Sequence, residues 1–344
     1  MKKILLISEL FVPPYDEGMK VTALNLLKGI RYHVDCLGLG PCGGEDSHIH
    51  TISLNKFMCS KKLREKINRY CPDFILYIPE ASATLNSFIR QRILRTISNG
   101  VNTAMIALQN REYSLLMQKL IGLINPGTLF VLSNRMTNIF KRMGVATHLL
   151  PAGVDMEKFV PVSSGRKRLL REKYSIPQDA YLTLHVGHIR ESRNIRIFLS
   201  LADQPNIRVL LVGSTSTPQE ERLKMELRQS GIFVIDEFVR ENQELYQLAD
   251  CYVFTVIEKN AAMEFPISVL EAMSCNLPVL TTPFGSLPEY FSDSDDFRYF
   301  TTIKKLKEEL FKMRAIIPGT RKKVENFSWE NVAAQVLRKC SVIS

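Results

Sequence analysis

Two successive sets of short apolar runs, each alternating with amphipathic stretches, divide this chain and restrict it to layered α/β architectures. Lys3 to Ser8 is an apolar run of strand length, followed by the loop F-V-P-P-Y-D-E-G and an amphipathic segment from Met19 to Ile30. Strand, loop and helix in that order open a parallel α/β layer. Further apolar runs at His33 to Leu39, Phe74 to Ile78, Thr103 to Ala107, Leu129 to Leu132 and His148 to Leu150 alternate with helical stretches, so that a Rossmann-like half ends near Pro151. The segment P-A-G-V-D-M-E-K-F-V-P has the composition of a crossing between domains. After the basic stretch S-S-G-R-K-R-L-L-R-E-K a second alternation begins at Tyr181, with strands at Leu182 to Val186, Arg208 to Val212, Phe233 to Ile235, Tyr252 to Phe254 and Val279 to Thr281. A chain of 344 residues exceeds what one core usually holds. The expected fold class is therefore α/β, two Rossmann-like domains facing a cleft, with residues 1–155 in the first and 156–327 in the second. No sequence repeat relates them. A final helix over about 328–344 follows, with Ser328 as its N-cap and Trp329, the only Trp, as its anchor.

Composition narrows the class. Hydrophobic content of 45% and charged content of 23% describe an ordinary globular chain. No apolar run approaches the roughly 20 residues that span a bilayer. The opening M-K-K-I-L-L-I-S-E-L is interrupted by Glu9 and lacks a small-residue cleavage site, so it reads as a first strand and not a leader. Seven scattered cysteines without a C-x-x-C pair fit reduced thiols and a cytoplasmic setting. Residues 1–150 hold 19 Lys and Arg against 10 Asp and Glu, whereas the remainder holds 26 against 25, so the net charge of +10 lies almost wholly on the first half. Lys61, Lys62, Arg64, Lys66 and Arg69 surround Leu63, Ile67 and Tyr70 at helical spacing, and Arg90, Arg92 and Arg95 recur on the next helix. Peripheral contact with an anionic membrane, at its inner face, is one explanation, and a solvated helix face is the other. Nucleic acid is not an expected partner, because no reading helix or aromatic stacking platform accompanies the charge.

The segment M-E-F-P-I-S-V-L-E-A-M-S-C-N-L-P, from Met263 to Pro278, carries the chemistry. It sets Glu271 in the first turn of an apolar helix, after a loop holding Glu264 and Pro266. A helix start offers free N–H groups and a positive dipole end, suited to a phosphate or the polar edge of a sugar. A carboxylate beside them repels phosphate and accepts hydrogen bonds from hydroxyls, so a nucleotide sugar is the expected ligand. A second phosphate-suited turn is L-H-V-G-H-I-R-E-S-R-N-I, where a strand runs into Gly187 and a helix is expected near Ser192.

The first segment resembles the signature of GT-B retaining glycosyltransferases of family 4, in which a loop E-G-F-G leads into L-E-A-M-A-x-G-x-P; Glu271, Ala272, Met273 and Pro278 match in place. The family's first glutamate falls at Met263, one residue before Glu264, so either the loop is one residue shorter here and Glu264 takes the role, or the role is lost. The family's G-R-L-x-x-x-K-G puts its two diphosphate-binding cations at His188 and Arg193, with Arg190 as a substitute for the former. Gly153, Val154, Asp155 and Phe159 match its linker G-V-D-x-x-x-F, expected to set a hinge. Gly18 stands in its first-domain phosphate turn, Val239-Arg240-Glu241 with Glu244-Leu245 resembles its nucleobase loop, and Gly285 to Glu289 its G-G-x-P-E. A His usual after a first-domain strand is replaced by Gln109, Asn110 and Arg111.

The resemblance implies a retaining, metal-independent glycosyltransferase moving a sugar from a nucleotide-diphosphate donor to a hydroxyl acceptor, whether a glycan, a lipid-linked sugar or a small molecule. Glu264 and Arg193 would be catalytic. Gly18, Gly187, His188, Arg190, Arg193, Val239, Phe265, Pro266, Ile267 and Glu271 would hold the donor, with Glu264 and the backbone of Phe265 to Ile267 on the sugar. The donor is a substrate, and no cofactor or metal is implied. The family's last helix crosses back to the first domain. The alternative is a non-catalytic GT-B protein that binds or scaffolds. Two literal motifs are set aside: Gly38, Gly40 and Gly43 spell G-x-G-x-x-G without a helix to receive a pyrophosphate, and Asp293-Ser294-Asp295 spells D-x-D in a polar loop.

Overall fold

The computed structural model describes residues 2–42, 46–124, 127–216 and 220–343. They form two compact units, one of Met1–Gly153 with Met263–Phe265 and Trp329–Ser344, the other of Val154–Ala262 with Pro266–Ser328.

The N-terminal unit is built on a seven-stranded, all-parallel sheet. Its strands are β1 (Lys3–Ser8), β2 (Asp35–Gly40), β3 (Ile49–Thr51), β4 (Phe74–Ile78), β5 (Asn102–Ala107), β6 (Thr128–Val131) and β7 (Thr147–Leu149), in the order β3-β2-β1-β4-β5-β6-β7. Strands such as F-I-L-Y-I are apolar on both faces because helices cover both sides. On one side α1 (Gly18–His33) packs along the C-terminal helix, Trp329–Lys339. On the other lie α2 (Lys61–Tyr70), α3 (Leu85–Ile97), α4 (Leu115–Ile124) and α5 (Asn134–Arg142), whose Leu63, Phe88, Leu94, Ile121, Met136 and Phe140 close over Leu5, Ile7, Ile75 and Tyr77. Ser60, Thr84 and Ser133 cap three of these helices by accepting the amide three residues on.

The second unit has six parallel strands, β8 (Tyr181–Val186), β9 (Ile207–Val212), β10 (Phe233–Ile235), β11 (Cys251–Phe254), β12 (Val279–Thr281) and β13 (Phe297–Tyr299), ordered β10-β9-β8-β11-β12-β13. Its helices are α6 (Ser164–Lys173), α7 (Leu199–Ala202), α8 (Glu221–Gln229), α9 (Gln243–Gln247), α10 (Ile267–Ser274), α11 (Leu287–Tyr290) and α12 (Ile303–Met313). Asp250 ties α6 to the starts of β8 and β11: it accepts from Lys167 Nζ (2.6 Å), Arg171 Nη2 (2.5 Å) and the Leu182 amide (2.6 Å).

Two departures from the sequence reading have local causes, and one rejected motif finds its structural role. Strands β3 and β13 are short, I-H-T and F-R-Y, and carry no apolar run to announce them. The helix expected near Ser192 is instead a 3₁₀ turn, Glu191–Arg193, ended by Asn194 in the left-handed region (φ 56°) before a second 3₁₀ turn, Ile195–Phe198. The G-x-G-x-x-G glycines serve packing: Gly40 ends β2, where a Cβ would stand 2.6 Å from Phe11 Cβ, and Gly43 lies outside the described residues.

Gly29 gives a test of the α1 packing, since a Cβ there would lie 2.5 Å from the carbonyl oxygen of Trp329. Alanine is intrinsically favoured over glycine in a helix by about 1 kcal/mol. The backbone collision should nevertheless make Gly29→Ala net destabilising by roughly 1–3 kcal/mol in urea unfolding. A raised urea midpoint would contradict this packing.

Candidate functional site

In the second sheet the winding reverses between β8 and β11. Ligands of open parallel sheets bind outside the carboxyl ends of the strands at such a switch point. The chain leaves β8 through Gly187, and the 3₁₀ turn that follows is pinned to the end of β11. Thr255 Oγ1 donates to the Arg193 carbonyl (2.8 Å), and Asn194 Nδ2 donates to the Thr255 carbonyl (3.3 Å). With its carbonyl held by Thr255 and the neighbouring Asn194 side chain tied to the same residue, Arg193 lays its guanidinium over Gly187, where an added Cβ would stand 3.0 Å from Nη1. A side chain at this position would crowd the cation. His188 and Arg190 occupy the same loop and are partly exposed.

Beneath the loop lies a residue the sequence reading missed. His185, fully buried in β8, donates from Nδ1 to the Val253 carbonyl (2.9 Å), which leaves the lone pair on Nε2; that atom has no hydrogen-bond partner among the described residues and lies 3.3 Å from where a Cβ on Gly187 would stand. Burial, and secondarily the charge of Arg193, push its pKa down to about 4, so it stays neutral beside the cation. Its ring stacks on Tyr252 at 6.4 Å, and the Tyr252 hydroxyl donates to Ser268 Oγ (2.7 Å) in the first turn of α10. Pro266 is the residue before that helix, and Ile267 its first residue; both are buried.

Glu271 is the fifth residue of α10, in its second turn and not the first as expected, since the helix begins only at Ile267. It is 7% exposed, and its Oε2 accepts from the Tyr246 hydroxyl at 2.6 Å. Burial raises its pKa to about 7, against the opposing pull of the Tyr246 hydrogen bond and of Lys158. The Gly153-Val-Asp155 stretch contributes here: Asp155 Oδ1 accepts from the amides of Glu157 and Lys158, turning the chain so that Phe159 meets Tyr246 edge-on at 5.5 Å. The Phe159 carbonyl accepts from Ser274 Oγ (2.6 Å) and Arg321 Nη1 (2.7 Å). These residues therefore build the wall behind Glu271, a part that a hinge alone would not require.

Gly187, His188, Arg190, Arg193, Ile267 and Glu271 thus belong to one unit at the ends of β8 and β11. Others stand apart. Val239 lies in the irregular stretch after β10, and Glu244 is engaged structurally, holding Arg166 (3.2 Å), Lys173 (2.5 Å) and the Tyr174 hydroxyl (2.9 Å). Gly18 opens α1 in the N-terminal unit. Glu264 and Phe265, read from sequence as part of the donor half, group with the N-terminal unit. The Glu264 amide donates to the Leu108 carbonyl (3.0 Å), and Oε1 accepts from Ser133 Oγ (3.0 Å) at the start of α5, where a helix N-terminus favours a carboxylate. In D-x-D, Asp293 accepts the Tyr299 amide (2.9 Å) and Asp295 pairs with Arg298 (2.8 Å).

The Glu271 proton gives a signed pH effect. The native carboxyl holds its proton up to about pH 7, whereas the unfolded one releases it near 4.5, so its contribution to stability is present below 4.5 and is lost as pH rises to about 7. Glu271→Gln keeps an acceptor for Tyr246 without a charge to desolvate. Its unfolding free energy should gain on the parent across that window, by at most about 3 kcal/mol above it. An advantage that does not change with pH would contradict the buried assignment.

Comparison with known proteins bears on the fold. Residues 166–310 match the family model of glycosyl transferases group 1. The chain is similar to mannosylfructose-phosphate synthase of Agrobacterium fabrum, 24% identical over 55% of the chain and 46% of the relative. It is also similar to the MMP alpha-(1->4)-mannosyltransferase of Mycolicibacterium hassiacum, 25% identical over 64% and 55%. It spans about half the length of the curated relatives it matches. Among solved structures, HepE of Anabaena in complex with UDP-glucose superposes with a TM-score of 0.76 at 17% identity, and sucrose-phosphate synthase of Thermosynechococcus elongatus with 0.76 at 17%, each over the whole of both chains. The chain has the GT-B fold of these glycosyltransferases, and its residues 166–310 match the model of the glycosyl transferases group 1.

Proposed function

We propose that this protein transfers a sugar, with retention of anomeric configuration and without a metal ion, from a nucleoside-diphosphate donor to a hydroxyl acceptor. The observation that carries the reading is Arg193: a guanidinium seated over a glycine at the sheet's switch point, its backbone clamped to the end of β11. Such a fixed fork suits the two negatively charged oxygens of a diphosphate. Arg190 and His188 share its loop, and the amides of Ile267 and Ser268 open α10 nearby in the same unit. Glu271, on that helix, takes the ribose hydroxyls. HepE, solved in complex with UDP-glucose, and the mannosyltransferase among the curated relatives support a nucleotide sugar as the donor class.

The chemical task is to stabilise negative charge on the departing diphosphate while an oxocarbenium-like centre develops on the sugar. Preorganised cations and N–H dipoles do this without reorganising at the moment of reaction. Glu264 stands in for the first glutamate of the family pattern, with the Ser133 hydroxyl holding its carboxylate in one orientation. The basic N-terminal unit receives the acceptor.

A thermal-shift screen over UDP-, GDP-, ADP- and CDP-sugars should give stabilisation by one nucleotide class, since ligands of the native state raise its apparent stability. With that donor, Arg193→Ala should lower turnover by roughly 100-fold, the scale of losing one preorganised partner of a developing anion. Undiminished turnover would remove Arg193 from the mechanism. Donor binding by the parent without transfer or hydrolysis would assign the chain to the non-catalytic reading.

A further inference from the structure

Helix α4, L-L-M-Q-K-L-I-G-L-I, has a single charge, Lys119, and is oriented opposite to an ordinary amphipathic helix. Ile121 is its only buried residue, while Leu115, Leu116 and Leu123 are 77, 67 and 81% exposed and Leu120 is 38% exposed. At about 100° per residue these four leucines and Lys119 fall on one face. Surface helices usually turn such a stripe inward, and a contiguous exposed apolar patch marks an interaction site.

The surroundings say of what kind. Helix α4 lies in one layer with α2, α3 and α5, all four meeting in the core on the same side of the sheet through Leu63, Phe88, Ile121 and Phe140. The outward residues of its neighbours are cationic: Lys62 and Arg64 on α2, Arg92 on α3, and Arg135, Lys141 and Arg142 on α5 are all exposed. Glu65 is the only acid in the four helices. Positive charge spread along a whole helical layer matches an extended anionic plane better than a single acidic partner site. Leucines with a central lysine are the residues that enter an acyl boundary while the ammonium reaches the headgroups.

We propose that the outer face of α2–α5 is a membrane-docking surface, with the α4 leucines inserted at the headgroup–acyl boundary of an anionic bilayer and the flanking cations on its headgroups. Docking of this type needs both components, apolar insertion and electrostatic attraction, and weakens when either is removed.

The test is flotation of the full chain with vesicles of mixed phosphatidylglycerol and phosphatidylcholine, compared with phosphatidylcholine alone, and of Leu116→Gln/Leu123→Gln and Arg92→Glu/Lys141→Glu variants. These four residues are exposed, so the variants should keep the parent's circular dichroism and melting temperature. They should also keep its donor-induced thermal shift, which separates this inference from the donor reading. The parent is expected to float with the anionic vesicles and much less with the neutral ones. The leucine pair should lower binding roughly tenfold or more, and the charge reversals should abolish the preference for anionic lipid. Failure of the parent to float, or flotation unchanged in the leucine pair, would overturn the proposal. So would a parent dimer in sedimentation that dissociates in the leucine pair without vesicle binding, which would assign the ridge to a second copy of this chain.

Discussion

A carboxylate held inside an apolar helix is the constraint around which the second unit is organised. Ile267, Val269, Leu270, Ala272 and Met273 bury α10 almost all round, and Glu271 is carried in with them. A buried carboxyl must either be neutral or be hydrogen-bonded, because losing water is otherwise expensive. Here both devices operate: the Tyr246 hydroxyl donates to it, and burial lifts its pKa to about 7. Burial and the nearby carboxylate also keep the Tyr246 hydroxyl protonated, so that it remains a donor. The position of Tyr246 then depends on Phe159 and, through that residue, on the turn closed by Asp155. Carboxyls perturbed by burial in this way are concentrated at functional sites.

The cationic end of the site follows a complementary logic. Arg193 is anchored through its carbonyl, and its guanidinium lies over Gly187. The imidazole beneath it must not add a second positive charge, and burial of His185, with the charge of Arg193, ensures that it does not, against the opposing pull of its Nδ1 hydrogen bond to the Val253 carbonyl. The stack from His185 to Tyr252, and the Tyr252 hydrogen bond to Ser268, connect the cation's floor to the first turn of α10. The elements that would meet a diphosphate and a ribose are therefore packed on one another within a single unit and not assembled from mobile loops.

Much of this was legible in the sequence for identifiable reasons. Parallel strands covered on both faces read as continuous apolar runs, so most of the strands were placed, while I-H-T and F-R-Y, short and mixed in polarity, were not. Glu271, Gly187 and Arg193 were singled out from a local pattern of loop and apolar helix together with the family resemblance, and the structure places all three in one unit. Their supports were not: Tyr246 is 25 residues from Glu271, and His185 reads as one more residue of a buried strand. Glu264 was assigned to the donor half by chain order, but the backbone of Met263–Phe265 packs with the other unit. The outward leucines of helix α4 were not anticipated, because an almost wholly apolar segment does not say which of its faces is buried, and only solvent accessibility does.

The central claim is that one ligand site joins the loop after β8 to the start of α10. Hydrogen exchange on the full chain, with and without saturating nucleoside diphosphate, measures it directly. The amides of residues 187–194 and 267–271 are expected to slow together on binding. Protection confined to other segments, or slowing of one of these two stretches without the other, would contradict a shared site.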